Sequence, residues 1–290
     1  MGIPDNWKVS LFAKHVQQIP LELLAEKLLA SGVSNLDLTV RPGGYVNPQN
    51  VEAELPPACE LLSAKGIGVN MITTAITDPD SAETAKILKT AAACGIKYYK
   101  LGYFIYKGFG TLKQQRLDLK ETFKRLAGIN AKYGIHGGYH NHSDNFFGAS
   151  LWDLMEVIEG TSNETIGVYF DPAHAVIEGG GMGWEMAMDI AAERITMLAV
   201  KDFFRLDNKL GYAGTRRSSV KFCPLEDGEV PWDKVIIYLK QINFSGPVSF
   251  HSEYQTAHAF ADLSAEGVLY QTAKDLKYFT TMMDEKPQKG

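Results

Sequence analysis

Two histidines stand two positions apart in the segment GGYHNHSDNF, residues 137–146. An imidazole titrates near neutral pH and is a common metal ligand, so His140 and His142 have the chemistry for proton transfer or metal binding. A histidine at the end of a strand is, however, more often a hydrogen-bonded packing residue. The positions of the other polar residues help to distinguish these two interpretations.

Polar residues of similar chemistry recur along the chain, each directly after a short apolar segment. They are Arg41 after NLDLTV, Asn141 between the two histidines, Asp171 and His174 in FDPAH, Lys201 and Asp202 in AVKD, and His251 and Glu253 in FHSEY. Each of them alone is explained by a turn, a helix cap, an ion pair or a solvated side chain. Buried charges are costly and seldom cluster without function, so their joint occurrence predicts one active site.

Short β-like segments alternate with longer amphipathic helical patterns, and these elements must position the polar residues. The predicted strands are 8–14, 35–40, 68–74, 96–104, 135–142, 165–171, 195–204 and 246–254. Alternating β and α units predict a parallel sheet, and eight of them predict the closed (β/α)8 arrangement of an α/β TIM barrel. An open doubly wound sheet is the alternative, but no GxGxxG motif follows the first strand, and GGGMG at 179–183 lacks the spacing.

No shift in composition interrupts this alternation, which predicts a single TIM-barrel domain over residues 1–290, with a frayed tail at about 282–290. We expect the GGGMG segment to be a loop, followed by a short helix over 183–193. The last helix is expected over about 259–281. The longest irregular segment, about 205–230, follows the seventh strand, where barrels place lids or oligomer contacts.

In a TIM barrel the carboxyl ends of the strands and the loops after them contain the active site. The polar residues above fall at those ends, whereas the amino ends of the same strands are mostly apolar or glycine. Residues two apart on a strand point to the same face. Three pairs should therefore point together into one mouth of the barrel: His140 with His142, Ala199 with Lys201, and His251 with Glu253.

The composition excludes several other classes of protein. With 45% hydrophobic residues, 22% charged residues and a net charge of -5, the chain is typical of a globular protein and has no basic patch for nucleic acid. Cys59, Cys94 and Cys223 form neither a CxxC pair nor a metal-ligand spacing, which favours a reducing compartment. No segment approaches the roughly 18 apolar residues of a membrane helix. We therefore predict a cytoplasmic protein that contacts no membrane; an export signal removed beforehand is the alternative.

The chain resembles the sugar isomerase/epimerase-like TIM barrels, the xylose isomerase-like superfamily that also contains endonuclease IV. The matching segments are LTVRPGGYVNP, YHNHSDNFFGASLWDL, FDPAHAVIEGG, AVKDF, CPLEDGEVPW and GPVSFHSEY. The resemblance covers nearly the whole chain. It is specific for the barrel and the superfamily but not for the activity, because this superfamily catalyses many reactions.

Members of that family commonly hold one divalent metal through a glutamate, an aspartate, a histidine and a glutamate on strands five to eight. In this chain His140 replaces the first glutamate, Asp171 matches the aspartate, Ala199 replaces the histidine, and His251 stands near the last glutamate. The resemblance therefore implies a divergent metal site of His140, Asp171 and His251. Such a nitrogen-rich set favours zinc, nickel or iron(II) over the manganese of an oxygen-rich site.

The resemblance implies a sugar isomerase or epimerase that removes a proton next to a carbonyl and stabilises an enediolate. His140 or Glu253 would be the base, and a metal or Lys201 would polarise the carbonyl. If the metal has been lost, Lys201 and the histidines supply the charge. The expected substrate-binding residues are Arg41, Asn141, His142, His174 and Asp202. The expected partner is a small-molecule sugar, and a homo-oligomer is also an expectation.

Three other functions compete with this hypothesis. A lyase or hydrolase acting on keto-sugars or glycosides would use the same proton abstraction to expel a leaving group. A non-catalytic sugar-binding barrel would explain the missing histidine at Ala199. An endonuclease is disfavoured by the charge of the chain and by the lack of additional histidines on the early strands.

Overall fold

Eight parallel strands close into a barrel in the computed structural model, which describes residues 2–206 and 219–283. The strands of the barrel are β1 (Trp7–Phe12), β2 (Asn35–Val40), β3 (Gly68–Thr74), β4 (Tyr98–Lys100), β5 (His136–His140), β6 (Ile166–Phe170), β7 (Ile195–Val200) and β10 (Gly246–Phe250). Each strand pairs with the next along the chain, and β10 closes the circle between β7 and β1. The predicted TIM barrel is confirmed.

Helices follow the barrel strands and form the outer layer. Within the described residues they are α1 (Leu21–Ala30), α2 (Val51–Ala64), α3 (Ala82–Ala93), α4 (Leu112–Tyr133), α5 (Leu151–Ile158), α6 (Pro172–Ala191), α7 (Trp232–Gln241) and α8 (Ala265–Met282). No helix in the described part of the chain is both long enough and apolar enough to cross a membrane. The three cysteines are free thiols.

Six of the eight barrel strands are shorter than the sequence predicts, and β4 is shortened the most. β4 ends at Lys100, because Gly102 turns away from the sheet and its N–H donates to the carbonyl of Ile76 at 2.8 Å. A side chain at Gly102 would meet the backbone oxygen of Ala75 at 2.6 Å, so this turn requires glycine.

The predicted seventh strand is two strands in the structure. The barrel strand β7 ends at Val200, and β8 (Asp202–Leu206) begins after a single residue, Lys201. β8 pairs antiparallel with β9 (Ser219–Cys223) to form a hairpin beside the barrel. The segment predicted to be irregular therefore contains a strand, while its residues 207–218 lie outside the described residues.

The helix after β6 begins earlier than predicted. Asp171 caps it and Pro172 occupies its first turn, a combination of residues that is typical of a helix start. The predicted loop is an interruption of this helix at Gly180 and Gly181, whose backbone angles are not helical. The last helix begins at Ala265, later than predicted, because Ser264 caps it. Of the predicted frayed tail, residues 284–290 lie outside the described residues.

The inward side chains of the strands fill the lumen of the barrel in layers. The apolar layer consists of Met71, Tyr169, Met197 and Ala199, with Tyr98 packed against them. Gly138 of β5 belongs to this level, since a Cβ there would lie 2.3 Å from the sulfur of Met197. The packing leaves room only for glycine directly below the end of β5.

A buried carboxyl group occupies the lumen on the β2 side. Asp37 is fully buried, and its two oxygens accept hydrogen bonds from Thr73 Oγ1 at 2.8 Å and from Ser249 Oγ at 2.9 Å. Burial raises the pKa of Asp37 to about 7, although both hydrogen bonds and the charge of Lys100 act in the opposite direction. The carboxyl group thus ties β2 to β3 and to β10, and it is mainly protonated below about pH 7.

The raised pKa makes a prediction about stability. The folded protein binds a proton at Asp37 between about pH 4 and 7 that the unfolded chain does not, so this contribution to stability is lost as the pH rises through 7. Relative to Asp37→Asn, the free energy of unfolding of the wild type should fall by about 1 kcal/mol between pH 6 and 8. Urea unfolding of both proteins across this range measures the difference. Parallel pH profiles would contradict the prediction.

Candidate active site

A cluster of buried polar side chains lies at the carboxyl ends of the barrel strands, in the opening that we call the mouth. It brings together seven of the predicted site residues: His140, His142, Asp171, His174, Lys201, His251 and Glu253. They come from β5, β6, β7 and β10 or from the residues that directly follow these strands. Five of the seven residues are at most 2% exposed, and only His142 and Glu253 are partly open to solvent.

Asp171 lies at the centre of the cluster. Its Oδ1 accepts the backbone N–H of His174 at 3.1 Å, as expected of a helix cap, and its Oδ2 lies 2.9 Å from His140 Nε2 and 3.2 Å from Lys201 Nζ. Burial alone would raise the pKa of Asp171, but the ammonium of Lys201 and the neighbouring imidazoles hold it below its usual value. Asp171 is therefore an ionised carboxylate despite its complete burial.

The side chain of Asn141 is hydrogen-bonded to the backbone of Asp171. Its Oδ1 accepts the backbone N–H of Asp171 at 2.7 Å, and its Nδ2 donates to the backbone carbonyl of the same residue at 3.0 Å. Both ends of the amide are used within the protein, and the side chain is fully buried. Asn141 thus joins the ends of β5 and β6, and its contact with substrate stays a prediction.

Lys201 links the two carboxylates of the mouth. Its Nζ lies 3.4 Å from Glu253 Oε1 and 2.7 Å from His174 Nε2. Burial alone would lower the pKa of Lys201, but Asp171 and Glu253 raise it above its usual value, so the side chain is an ammonium. An ammonium only donates, which makes His174 Nε2 an acceptor and places the imidazole proton on Nδ1, 2.8 Å from Ser143 Oγ.

Two tyrosines contact the remaining buried imidazoles. Tyr103 OH lies 2.6 Å from His140 Nδ1, and Tyr169 OH lies 2.7 Å from His251 Nε2. Burial, followed by the charges of nearby lysines and imidazoles, lowers the pKa of His140 and His251 well below the usual value, so both are neutral. A neutral imidazole is the form that binds a metal.

Three of these side chains can hold a metal ion. His140, Asp171 and His251 each offer a ligand atom, and these atoms lie within 4.8 Å of one another. The Nδ1 atom of His251 is buried without a hydrogen-bond partner among the described residues, as expected of a nitrogen that awaits a ligand. Two imidazoles and one carboxylate fit a divalent metal that accepts both nitrogen and oxygen. The ammonium of Lys201 competes for the same Asp171 oxygen.

Asp202 lies outside this cluster. Its carboxylate is fully buried and accepts four hydrogen bonds of 2.8–3.0 Å, from the backbone N–H groups of Phe203, Glu229 and Val230 and from the indole N–H of Trp232. These contacts fix the junction of β7 with β8 and the start of α7. The structure gives Asp202 this structural role, and its contact with substrate stays a prediction.

Arg41 lies at the rim of the mouth. Its guanidinium is 5.5 Å from the centre of the Phe12 ring, and that ring in turn lies 4.6 Å from the ring of His251. Arg41 is half-buried and makes no ion pair within the described residues. It remains available to a ligand that enters the mouth.

Three further residues of the mouth were not predicted from the sequence: Tyr169, Ser143 and His15. Tyr169 faces the lumen because it stands two positions before Asp171, and this spacing was the available signal. Ser143 directly follows the histidine pair. His15 follows β1, and its Nδ1 lies 3.1 Å from Gln255 Oε1, but nothing in the sequence around it distinguishes it from a surface histidine.

The family model of the xylose isomerase-like TIM barrel matches residues 60–274. The chain belongs to this family. Ala199, which stands where the resemblance implies a histidine, has its methyl group buried in the apolar layer of the lumen. No curated protein matches the chain by sequence.

Solved structures show the same fold at low sequence identity. The IOLI protein, whose crystal structure holds a zinc atom, aligns with a TM-score of 0.72 and 15% identity over 96% of this chain and 100% of its own. The apo form of 3-keto-D-glucoside 4-epimerase YcjR from E. coli aligns with a TM-score of 0.68 and 12% identity, over 95% and 99%. The probable 3-DHS dehydratase AsbF from Bacillus anthracis aligns with 0.67 and 14%, over 93% and 98%. At these identities the likeness establishes the fold alone.

A substitution of Asp202 can distinguish a structural role of this residue from a role in substrate binding. In Asp202→Asn an amide N–H₂ group replaces one acceptor in a site where every partner donates, and this should lower the free energy of unfolding by about 2 kcal/mol. Urea unfolding of the variant beside the wild type measures the loss. If stability is unchanged while affinity for a ligand falls, the predicted contact with substrate is correct.

Proposed function

We propose that this xylose isomerase-like barrel is a sugar isomerase or epimerase that transfers a proton at a carbon next to a carbonyl group. The observation that supports it most is the buried set of Asp171, Lys201 and Glu253, in which one ammonium lies between two carboxylates. Such a set provides a base and a cation in one enclosed site, which is what proton abstraction next to a carbonyl needs. The substrate class agrees with the keto-glucoside epimerase that shares the fold.

Glu253 is the base in this proposal. It is the carboxylate of the cluster that is open to a ligand, with 19% of its side chain exposed, whereas Asp171 is fully buried. Burial alone would raise the pKa of Glu253, but Lys201 and other nearby cations hold it well below its usual range. The base is therefore ionised throughout the neutral pH range.

Lys201 stabilises the charge that Glu253 generates. When a proton passes from substrate to the carboxylate, negative charge moves from Glu253 to the oxygen of the enediolate. The ammonium lies 3.4 Å from Glu253 Oε1, so a substrate oxygen bound beside that carboxylate remains within its field. Neutral His174, which accepts a hydrogen bond from Lys201, keeps the ammonium oriented.

His140, Asp171 and His251 are the metal ligands in this proposal, and zinc, nickel or iron(II) suits them better than manganese. A metal held there would supply a Lewis acid for the carbonyl oxygen. The imidazoles are neutral and the carboxylate is ionised, which are the charge states that metal binding needs. If His140 is not used as a ligand, it is a second candidate for the acid–base group.

His142 and Arg41 bind substrate hydroxyl groups at the rim. His142 Nδ1 lies 2.9 Å from the backbone carbonyl of Ser143, which can only accept, so the proton is on Nδ1 and Nε2 is left as an acceptor. The ring of His142 lies 3.9 Å from that of His174, which fixes its plane. Cytoplasmic localisation and a homo-oligomer stay predictions from the sequence.

Exchange of substrate hydrogen with deuterated water tests the proposed chemistry. Incubation with a panel of keto-sugars and 3-keto-glucosides should place deuterium next to the carbonyl, and Glu253→Gln should slow the exchange by about 100-fold or more because it removes the base. The matched control is Glu266→Gln, an exposed glutamate of α8. Mass spectrometry and product NMR identify the reaction.

The products distinguish the competing functions. An epimer or an isomer supports the proposal, while loss of water or of an aglycone indicates the lyase or hydrolase. Tight sugar binding without exchange would identify a non-catalytic barrel.

Metal content tests the proposed ligands. Protein purified without a histidine tag or chelator should contain about one transition metal per chain by plasma mass spectrometry, and His140→Ala and Asp171→Ala should lose it. Lys201→Met should bind the metal about tenfold more tightly or better, since it removes a positive charge 3.2 Å from an Asp171 oxygen. Lys234→Met, on the surface, is the control. No uptake of zinc, nickel, manganese or iron(II) would contradict the proposed site.

A further inference from the structure

The two candidate histidine ligands share a feature that the proposed function does not use. Each has one ring nitrogen in contact with a tyrosine hydroxyl, His140 through Tyr103 at 2.6 Å and His251 through Tyr169 at 2.7 Å. A histidine that binds a metal through one nitrogen needs a partner for the other, because that partner fixes the tautomer and the orientation of the ring. The two tyrosines occupy the positions of such partners.

The contacts of His140 determine its tautomer when no metal is bound. Asp171 is an ionised carboxylate and can only accept, so His140 Nε2, 2.9 Å from Oδ2, must donate. The other nitrogen, Nδ1, then has a lone pair and accepts the hydroxyl proton of Tyr103. Tyr103 is therefore a donor in the metal-free protein.

Metal binding would reverse this arrangement. If His140 held a metal through Nε2, its proton would lie on Nδ1 and the Tyr103 hydroxyl would accept a hydrogen bond from it. A phenol hydroxyl can do this by rotating about its C–O bond, whereas a carboxylate or an ammonium in its place could serve only one of the two states. Tyr103 satisfies His140 Nδ1 in both states.

The ring of Tyr103 is held while its hydroxyl turns. The Nζ atom of Lys100 lies 3.7 Å from the ring centre and donates to the backbone carbonyl of Leu101 at 2.9 Å. Burial lowers the pKa of Lys100 to about 7, so a cation–π attraction is added to this contact below that pH. Only the hydroxyl proton has to move.

His251 is arranged differently. Tyr169 is fully buried and engages Nε2, so only Nδ1 is left to face the cluster, and this atom has no hydrogen-bond partner among the described residues. When Nε2 donates its proton to the Tyr169 hydroxyl, Nδ1 carries the lone pair that a metal requires. Tyr169 thereby determines which nitrogen of His251 is the ligand.

We infer that Tyr103 and Tyr169 are positioning residues for a metal bound by His140, Asp171 and His251: Tyr103 exchanges its roles as donor and acceptor with His140, and Tyr169 holds the proton on His251 Nε2. This inference rests on the metal site proposed above. It assigns to the two hydroxyls a contribution to metal affinity that is separate from the chemistry of the substrate.

Metal affinity of tyrosine variants tests the inference. Tyr103→Phe and Tyr169→Phe should each weaken zinc binding by about 10- to 100-fold in competition with a chelator. Tyr139→Phe is the matched control. Tyr139 is also buried and stands one residue before His140, but it faces the helices, and its hydroxyl bonds to Phe147 and Phe104. Its zinc affinity should equal that of the wild type.

Nitrogen NMR of the histidine side chains supplies a readout that a loss of stability would not imitate. In the wild type the proton of His140 should be on Nε2 without metal and on Nδ1 with zinc. Zinc affinity of Tyr103→Phe and Tyr169→Phe within twofold of the wild type would overturn the inference, as would a proton on Nδ1 in the metal-free wild type. A wild type that takes up no metal overturns the proposed metal site and this inference together, whereas the other two outcomes overturn the inference alone.

Discussion

The polar cluster in the mouth of the barrel depends on the contacts of the Asp171 carboxylate. A buried charge is costly unless it is paired and fully hydrogen-bonded, and Asp171 meets this condition through Lys201, His140 and the backbone N–H of His174. The ammonium of Lys201 also contacts Glu253. The buried carboxylate of Asp171 and the partly open carboxylate of Glu253 therefore share one counter-ion. Loss of Lys201 would therefore leave both carboxylates without their counter-ion.

Support for this centre comes from the layers below it. The apolar layer of the lumen closes the barrel from within, and Gly138 allows the chain of β5 to pass against Met197 at the level directly beneath His140. Asp37 is a second buried polar group in the lumen, and it is hydrogen-bonded to Thr73 and Ser249. Burial raises the pKa of Asp37 to about 7, whereas the ammonium in contact with Asp171 holds the pKa of that carboxyl below its usual value.

The sequence was sufficient for the barrel and for most of the cluster, because parallel strands of a closed barrel bring all their carboxyl ends to one opening. It was insufficient for Asp202, whose partners Glu229 and Trp232 lie 27 and 30 residues further along the chain and reach it only through the return of the hairpin. The start of α6 could have been predicted, since Asp171 and Pro172 are a cap and a first-turn residue. The glycine-rich segment that follows predicted a loop, but the helix continues beyond an interruption at Gly180 and Gly181.

The single residue between β7 and β8 has a further consequence. Lys201 joins the barrel to the hairpin, and Phe222 of the returning strand β9 places its ring 4.8 Å from the ammonium. The hairpin therefore follows Lys201 directly in the chain and also covers the ammonium of Lys201. Hydrogen bonds of Asp202 fix the junction between the barrel and the hairpin. During evolution, insertions and deletions in the hairpin could reshape the space above the mouth and leave the register of the eight strands intact.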